Sequence, residues 1–142
     1  MGKYRYFELS EFIVSDVAKR RGIDNTPSFA VVERLDNLVA NILEPMRIAY
    51  GKPITVTSGY RCERLNKAVG GVNWSAHMRG DAADLTASDM AGFKKFVREW
   101  LVKNKIKFDQ CIIEKSGKTE WIHIGIVSST GSQRGQLFSM NA

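Results

Sequence analysis

The sequence predicts an α+β domain in which helices flank a small antiparallel sheet. Three observations lead to this fold class. Helical periodicity fills the first half of the chain, strand-like runs concentrate in the second half, and two of those runs are separated by a short turn. The 142 residues, of which 44% are hydrophobic and 25% charged, have the length and composition of one globular domain. We expect that domain to span residues 1–142, with a core at about 7–127 and a tail at 128–142.

Two helical regions are predicted before residue 51. Residues 7–21 form short helical pieces in this prediction, with Ser15 as an N-cap and Gly22 as a stop. In residues 28–50 the apolar side chains recur at three- and four-residue steps, which predicts one helix with a buried stripe. The stripe consists of Val31, Leu35, Leu38, Val39, Ile42 and Met46. Pro45 should kink this helix, because proline removes a backbone N–H donor.

Short strands and helices alternate in the middle of the chain. Residues 54–57 are a β-type run, residues 63–69 predict one or two helical turns, and residues 83–86 look like a short strand. Ser88 is predicted to cap a helix that continues to about Val102. The buried face of that helix would consist of Met90, Phe93, Val97, Trp100 and Leu101.

The last third of the chain predicts a β-hairpin. Residues 110–114 and 121–127 are its strands, and residues 115–119 supply the turn. Residues 128–142 are rich in Ser and Gly and contain one apolar pair, Leu137 and Phe138. They are expected to form either a loose tail or an edge strand.

The formal net charge of +6 should draw the protein to anionic polymers. Nucleic acid, teichoic acid and an anionic cell wall all have that property, and charge alone does not choose among them. Lys94, Lys95 and the lysines of residues 103–107 look like a solvated face, and no nucleic-acid-binding motif accompanies them. We therefore expect no nucleic-acid partner.

Cysteine content and hydropathy predict a reduced protein without a membrane span. Cys62 and Cys111 are too few for a disulfide scaffold, so two free thiols are expected. No run of eighteen apolar residues occurs, and no apolar segment of a signal peptide follows the first six residues. We expect synthesis in the cytoplasm, so another component would have to release or carry the protein for action elsewhere.

The two histidines of the chain, His77 and His123, each lie in a cluster suited to a metal. Asp84 follows His77 by seven residues, and the intervening Gly80 lets the backbone turn back. Two imidazoles and one carboxylate, with a fourth position open for water, form the ligand set of a catalytic zinc site. Local spacing also leaves the alternative that these are hydrogen-bonded structural residues.

A zinc hydrolase also needs a general base near the attacking water. Glu120, three residues before His123, is the candidate. A regular strand would place Glu120 on the opposite face from His123, because successive side chains alternate. The prediction therefore requires an irregular strand start at Glu120.

Four motifs resemble the peptidase M15 family. They are Ser-Gly-Tyr-Arg ending at Arg61, Leu-Asn-Lys-Ala-Val-Gly-Gly at residues 65–71, Ser-x-His-x-x-Gly-x-Ala-x-Asp from Ser75 to Asp84, and Glu-x-x-His from Glu120 to His123. The resemblance extends over residues 7–126. This family contains zinc D-alanyl-D-alanine carboxypeptidases and dipeptidases and phage L-alanyl-D-glutamate endopeptidases. The short form seen here is similar to members from phage and prophage genomes.

The resemblance implies a role for each motif residue. The Zn²⁺ ligands would be His77, Asp84 and His123. Glu120 would be the base that deprotonates the water and later protonates the leaving amine. Arg61 would hold the scissile carbonyl or its oxyanion, and Ser75 would help to position substrate. The implied fold is the small sheet with flanking helices that the hedgehog signalling domain shares.

Two residues depart from the family pattern. Ala76 stands where glutamine is common, and Cys62 stands where proline or serine often follows the arginine. A thiol beside zinc could compete as a ligand. All predicted ligand and base positions are intact.

The resemblance implies a monomeric zinc metallopeptidase that hydrolyses peptidoglycan stem peptides next to a D-amino acid by metal-activated water. It would reach the cell wall after release from the cytoplasm or as part of a phage or prophage lysis system. The alternative is a zinc-stabilised binding or structural module of a phage particle or cell-wall apparatus, without turnover. The sequence leaves open whether a peptidase of this kind would act as a carboxypeptidase or as an endopeptidase.

Overall fold

The computed structural model describes all 142 residues and contains one five-stranded sheet. The strands are β1 (Thr55–Ser58), β2 (Ala82–Thr86), β3 (Gln110–Ser116), β4 (Thr119–Gly125) and β5 (Gln136–Asn141). Their order is β1-β2-β4-β3-β5, and the first four pair antiparallel. The predicted α+β class is confirmed.

The last strand makes the sheet mixed, because β5 runs parallel to β3. Gly125 at the end of β4 and Gln136 at the start of β5 both pair with Gln110. The chain that leaves β4 thus crosses the end of β3 and continues along its other side. Of the two outcomes predicted for residues 128–142, the edge strand is the one that forms.

Six α-helices surround the sheet. They are α1 (Ser10–Ile13), α2 (Asp16–Arg21), α3 (Phe29–Leu38), α4 (Glu44–Tyr50), α5 (Glu63–Ala68) and α6 (Met90–Lys103). The predicted boundaries of α2 are confirmed: the Ser15 side chain accepts the N–H of Ala18, and Gly22 ends the helix in the left-handed conformation. None of these helices has the length and apolarity that a membrane crossing would need.

The helix predicted for residues 28–50 contains a π-helical segment, Val39–Leu43, between α3 and α4. The N–H of Glu44 donates to the carbonyl of Val39, five residues earlier. Pro45 has no N–H, so it cannot continue the regular bonds to the fourth preceding residue, and the π turn lies just before it. All six residues of the predicted stripe are buried.

The start of α6 differs by one residue from the prediction. Asp89, and not Ser88, is the N-cap, because its carboxylate accepts the N–H of Gly92 three residues later. The predicted buried face is otherwise present, with Phe93, Val97, Trp100 and Leu101 in the core and Met90 partly buried beside it.

The two faces of the sheet have different neighbours. One face packs against the helices, and Leu85, Ile122 and Ile124 on that face are fully buried. The opposite face carries Asp84 and His123, which pair directly across β2 and β4. Polar side chains of the central strands therefore gather on one side of the sheet.

Candidate metal centre

Three predicted ligand residues lie together on the face of the sheet opposite Leu85, Ile122 and Ile124. The ligand atoms of His77, Asp84 and His123 are all within 4.8 Å of one another. Asp84 Oδ1 lies 3.2 Å from His77 Nε2 and 3.1 Å from His123 Nδ1. Ligand atoms at the corners of a tetrahedral zinc site are about 3.3 Å apart, given metal–ligand bonds of about 2.0–2.1 Å. The cluster therefore has the atom types that zinc prefers, and the two distances from Asp84 match the spacing of a tetrahedral site.

Two structural elements bring these ligands together. Asp84 and His123 are cross-strand partners on β2 and β4, so their side chains leave the sheet side by side. His77 comes from a 3₁₀ turn, Ala76–Arg79, that Ser75 caps and Gly80 ends. Gly80 has φ 81°, and a Cβ there would lie 2.8 Å from the carbonyl oxygen of Val31. Glycine at this position lets the turn sit against α3 while His77 reaches the sheet.

A backbone carbonyl orients the His77 ring. The Nδ1 of His77 lies 2.7 Å from the carbonyl oxygen of Gly59. A carbonyl accepts only, so Nδ1 carries a proton, and Nε2 is the ring nitrogen that faces Asp84. Such a carbonyl partner commonly fixes the tautomer of a metal-binding histidine.

Charge favours an ionised carboxylate between the two imidazoles. Burial would raise the pKa of Asp84, but the charge and hydrogen bonds of His77 and His123 hold that pKa well below its usual range. The side chains of His77, Asp84 and His123 are only 3%, 15% and 13% exposed. An anionic oxygen and two imidazole nitrogens thus meet in a nearly enclosed place, which suits a divalent cation.

Arg61 and Ser75 lie next to this cluster. The Arg61 N–H donates to the carbonyl of His77, and its Nη2 lies 3.4 Å from Ser75 Oγ. Burial lowers the pKa of Arg61, while the negative charges of Asp84 and Glu114 raise it. The Nε of Arg61 is buried and has no hydrogen-bond partner. The guanidinium is thus only weakly satisfied by the protein, and its charge lies close enough to Asp84 and Glu114 to interact with both carboxylates.

The structure does not bring Glu120 to the cluster. The β3–β4 register is regular through Lys115↔Glu120, so the irregular strand start that the prediction required does not occur. Glu120 therefore shares the face of Ile122, and its Oε2 pairs with Lys94 Nζ of α6 at 2.7 Å. That ion pair lowers the pKa of Glu120. Because side chains alternate along a regular strand, Glu120 points away from the metal cluster and not toward it as the prediction required.

A different carboxylate, Glu114, faces the cluster. Glu114 pairs with Trp121 across the hairpin, and the next pair on the same face is Ile112 with His123. Glu114 is therefore a diagonal neighbour of His123. Burial raises the pKa of Glu114, the negative charge of Asp84 raises it further, and the imidazoles partly oppose this rise. A partly buried carboxyl with a raised pKa suits proton transfer.

The sequence could have indicated the face on which Glu114 lies, but only with the correct length of the hairpin turn. A turn over residues 115–119 leaves the strand register undefined. The actual turn has two residues, Gly117 and Lys118, and Gly117 adopts φ 61°. A two-residue turn places Glu114 opposite Trp121 and on the face of His123.

Neither thiol competes for the metal in this geometry. Cys62 Sγ accepts the N–H of Leu65 at 3.4 Å and caps α5. Cys111 is buried in the core, and burial raises its pKa to about 12. Neither sulfur belongs to the group of metal-ligand atoms.

A cleft of about 410 Å³ lies beside the loop that carries Gly59 and Arg61. It is lined by Gly59, Tyr60 and Arg61 on one side and by the start of α2 on the other. Gly59 also holds His77 through its carbonyl, so the cleft and the cluster share a wall. None of the three metal-ligand residues lines the cleft, which borders the site through Gly59 and Arg61.

Fold and cluster together define a class, the hydrolases with a single zinc ion held by two imidazoles and one carboxylate. The sequence model of the peptidase M15 family matches residues 5–125, so the chain belongs to the peptidase M15 family. The chain is also similar to the zinc D-Ala-D-Ala carboxypeptidase of Streptomyces albus G, with 54% identity over 46 residues. That match spans 32% of this chain and 18% of the Streptomyces protein. Family and relative identify Zn²⁺ as the ion for this cluster.

Proposed function

We propose that this protein is a zinc metallopeptidase that hydrolyses peptidoglycan stem peptides next to a D-amino acid. One observation carries the proposal: Arg61 and Glu114 flank the cluster of His77, Asp84 and His123. A purely structural zinc site needs neither an unpaired arginine donor nor a second carboxylate. The name of the Streptomyces relative, a zinc D-Ala-D-Ala carboxypeptidase, supports the substrate class.

The bound ion and its ligands prepare the site. When bound, Zn²⁺ supplies Lewis acidity that polarises the peptide carbonyl and makes water acidic near neutral pH. His77 would bind through Nε2, His123 through Nδ1 and Asp84 through a carboxylate oxygen. The Gly59 carbonyl keeps His77 in the tautomer that this binding requires.

Glu114 takes the role that the sequence suggested for Glu120. Its carboxylate accepts a proton from the attacking water and later returns it to the leaving amine. The place of Glu114 on the cluster face, diagonal to His123, supports this role. Its raised pKa keeps the carboxyl closer to the working pH than an ordinary glutamate is.

Arg61 stabilises the charge that develops on the peptide carbonyl oxygen. Its guanidinium makes one hydrogen bond within the protein, a long one of 3.4 Å from Nη2 to Ser75 Oγ, so its terminal N–H groups keep donor capacity for a substrate oxygen. Ser75 Oγ lies 3.4 Å from Arg61 Nη2 and accepts the N–H of His77. We assign Ser75 to orienting Arg61 and the His77 turn toward substrate.

The route to the cell wall is part of the proposal. We propose that the protein acts there as a monomer, after release from the cytoplasm or within a phage or prophage lysis system. The net charge of +6 supports this view, because it favours contact with an anionic wall.

Digestion of purified muropeptides by the zinc-loaded protein tests the function. Mass spectrometry should detect a single type of cleavage, either loss of a terminal D-Ala or a cut between L-Ala and D-Glu. The same protein treated with a chelator serves as the control and should give no products. Intact muropeptides with the zinc-loaded protein, together with unfolding on chelation, would instead favour a zinc-stabilised module.

A further inference from the structure

The loop between β1 and α5, residues 59–62, contributes several groups to the site. The Gly59 carbonyl orients His77, the Arg61 N–H donates to the His77 carbonyl, and the Arg61 side chain faces the cluster. The loop lies between the end of β1 at Ser58 and the start of α5 at Glu63. Its peptide groups therefore lack the regular partners of a strand or helix.

Asn25 supplies the missing partners from a distant part of the chain. Its Nδ2 donates to the carbonyl of Tyr60 at 3.0 Å, and its Oδ1 accepts the N–H of Cys62 at 2.8 Å. Its second Nδ2 bond, of 2.9 Å, reaches the carbonyl of Ile13 at the end of α1. Asn25 is only 9% exposed, and both polar atoms of its amide are paired. The side chain thus binds the peptide groups immediately before and after Arg61.

A neighbouring contact completes this support. The Tyr60 N–H donates to the Phe12 carbonyl at 2.6 Å. A Cβ at Gly59 would lie 2.5 Å from the same carbonyl oxygen, so only glycine allows this approach. The loop is therefore held against α1 at Gly59 and Tyr60, and by Asn25 at Tyr60 and Cys62.

Arg61 needs such support because its own side chain is poorly satisfied. Its Nε is buried without a partner, and its Nη2 bond to Ser75 is long at 3.4 Å. A charged side chain in that state gains hydrogen bonds to water if the loop moves outward. The bonds of Asn25 oppose that movement.

We propose that Asn25 is a positioning residue whose side-chain amide fixes the backbone on both sides of Arg61 and so holds the guanidinium at the metal cluster. The proposal rests on the proposed function, in which Arg61 stabilises the peptide carbonyl oxygen. Asn25 touches neither substrate nor metal ligand side chains and acts through Arg61.

A double-mutant cycle of Asn25→Ala and Arg61→Ala tests this coupling. In the zinc-loaded protein, Asn25→Ala should lower kcat for muropeptide hydrolysis about ten- to a hundredfold, because a small displacement of a catalytic group is costly. In the Arg61→Ala background the same change should lower kcat less than about twofold. Equal losses in both backgrounds would overturn the proposal, since Asn25 would then support the fold alone.

Two further variants serve as a control and as a replacement for Asn25→Ala. Asn104→Ala removes a similar bond, from Asn104 Nδ2 to the Trp100 carbonyl at 3.0 Å, and should leave kcat unchanged. If Asn25→Ala does not fold, Asn25→Asp replaces it in the cycle. The aspartate keeps the acceptor for the Cys62 N–H and loses both donors, so it should show the same dependence on Arg61.

The NMR signal of the Arg61 Nε–H group provides a readout that does not depend on hydrolysis. The signal, assigned by its absence in Arg61→Ala, should be resolved and slow to exchange with solvent. Asn25→Ala should shift it to the position of exposed arginines, and Asn104→Ala should not. An unchanged signal in the Asn25 variant would overturn the proposal. Absence of hydrolysis by the wild-type protein would reject the proposed function and leave this test valid.

Discussion

The two faces of the β3–β4 hairpin differ in chemistry although their residues alternate along the same strands. His123 and Glu114 point toward the metal cluster, whereas Ile122 and Glu120 point toward the helices. Glu120 is closer to His123 in sequence than Glu114 is, yet Glu114 shares its face. The difference teaches that strand register, and not distance along the chain, selects which carboxylate can serve the metal centre.

The largest expected effect is the difference in activity between alanine variants of two adjacent residues, His123 and Ile122. His123→Ala should reduce hydrolysis to background, because it removes one of three protein ligands of the ion. Ile122→Ala should lower the free energy of unfolding by about 2–5 kcal/mol while the folded protein still hydrolyses muropeptides. Denaturant titration and kcat measured on the same samples check both parts. Full activity of the His123 variant with zinc would contradict the assigned ligand.

The second effect is a difference in kcat between glutamine variants of the two hairpin glutamates, Glu114 and Glu120. Glu114→Gln should lower kcat about 10²–10⁴-fold, because a positioned proton acceptor typically contributes that much. Glu120→Gln is the matched control and should stay within about twofold of wild type, since it loses only an ion pair to Lys94. Steady-state kinetics with a defined muropeptide measure both. The reverse pattern would mean that β4 shifts register in the active protein and brings Glu120 to the site.

The smallest expected effect concerns the edge of the sheet, away from Glu114 and Glu120. Arg134 at the entry to β5 forms a two-bond ion pair with Asp109, of 2.7 and 2.8 Å, and this pair lowers the pKa of Asp109 below its ordinary value of 3.8. The stabilisation is present above that ordinary value and is lost as the pH falls through the lower folded pKa. Asp109→Asn should therefore be less stable than wild type at neutral pH and should show a weaker loss of stability as the pH falls below about 4.

Thermal unfolding across that pH range, with kcat as a second measurement, checks the edge prediction. The Asp109 variant should keep wild-type kcat, because the pair lies outside the cluster. An identical acid profile in the two proteins would show that the ion pair does not contribute to stability.

Sequence reasoning predicted most of the fold because its signals are local. The stripe of residues 28–50 and the caps of α2 depend on neighbours within a few residues of one another. The candidate metal ligands stand out in the sequence because histidine is scarce in this chain and His77, Asp84 and His123 lie in specific motifs. The residue types in these motifs are therefore enough to predict a metal site.

The features that sequence reasoning missed depend on register and on distant contacts. The place of Glu114 follows from a hairpin turn two residues long, whereas the sequence pattern predicts a turn of five residues. The pairing of β5 with β3 depends on how the chain passes the end of β3, which no local pattern encodes. The contacts of Asn25 join positions 35 and 37 residues apart.

Anomalous X-ray scattering at the zinc absorption edge, from crystals of the zinc-loaded protein, tests the central claim most directly. The account predicts one strong peak bound by His77 Nε2, Asp84 and His123 Nδ1, with the Glu114 carboxylate on the same side of the sheet. A peak held by other residues, or no peak at these three side chains, would contradict it.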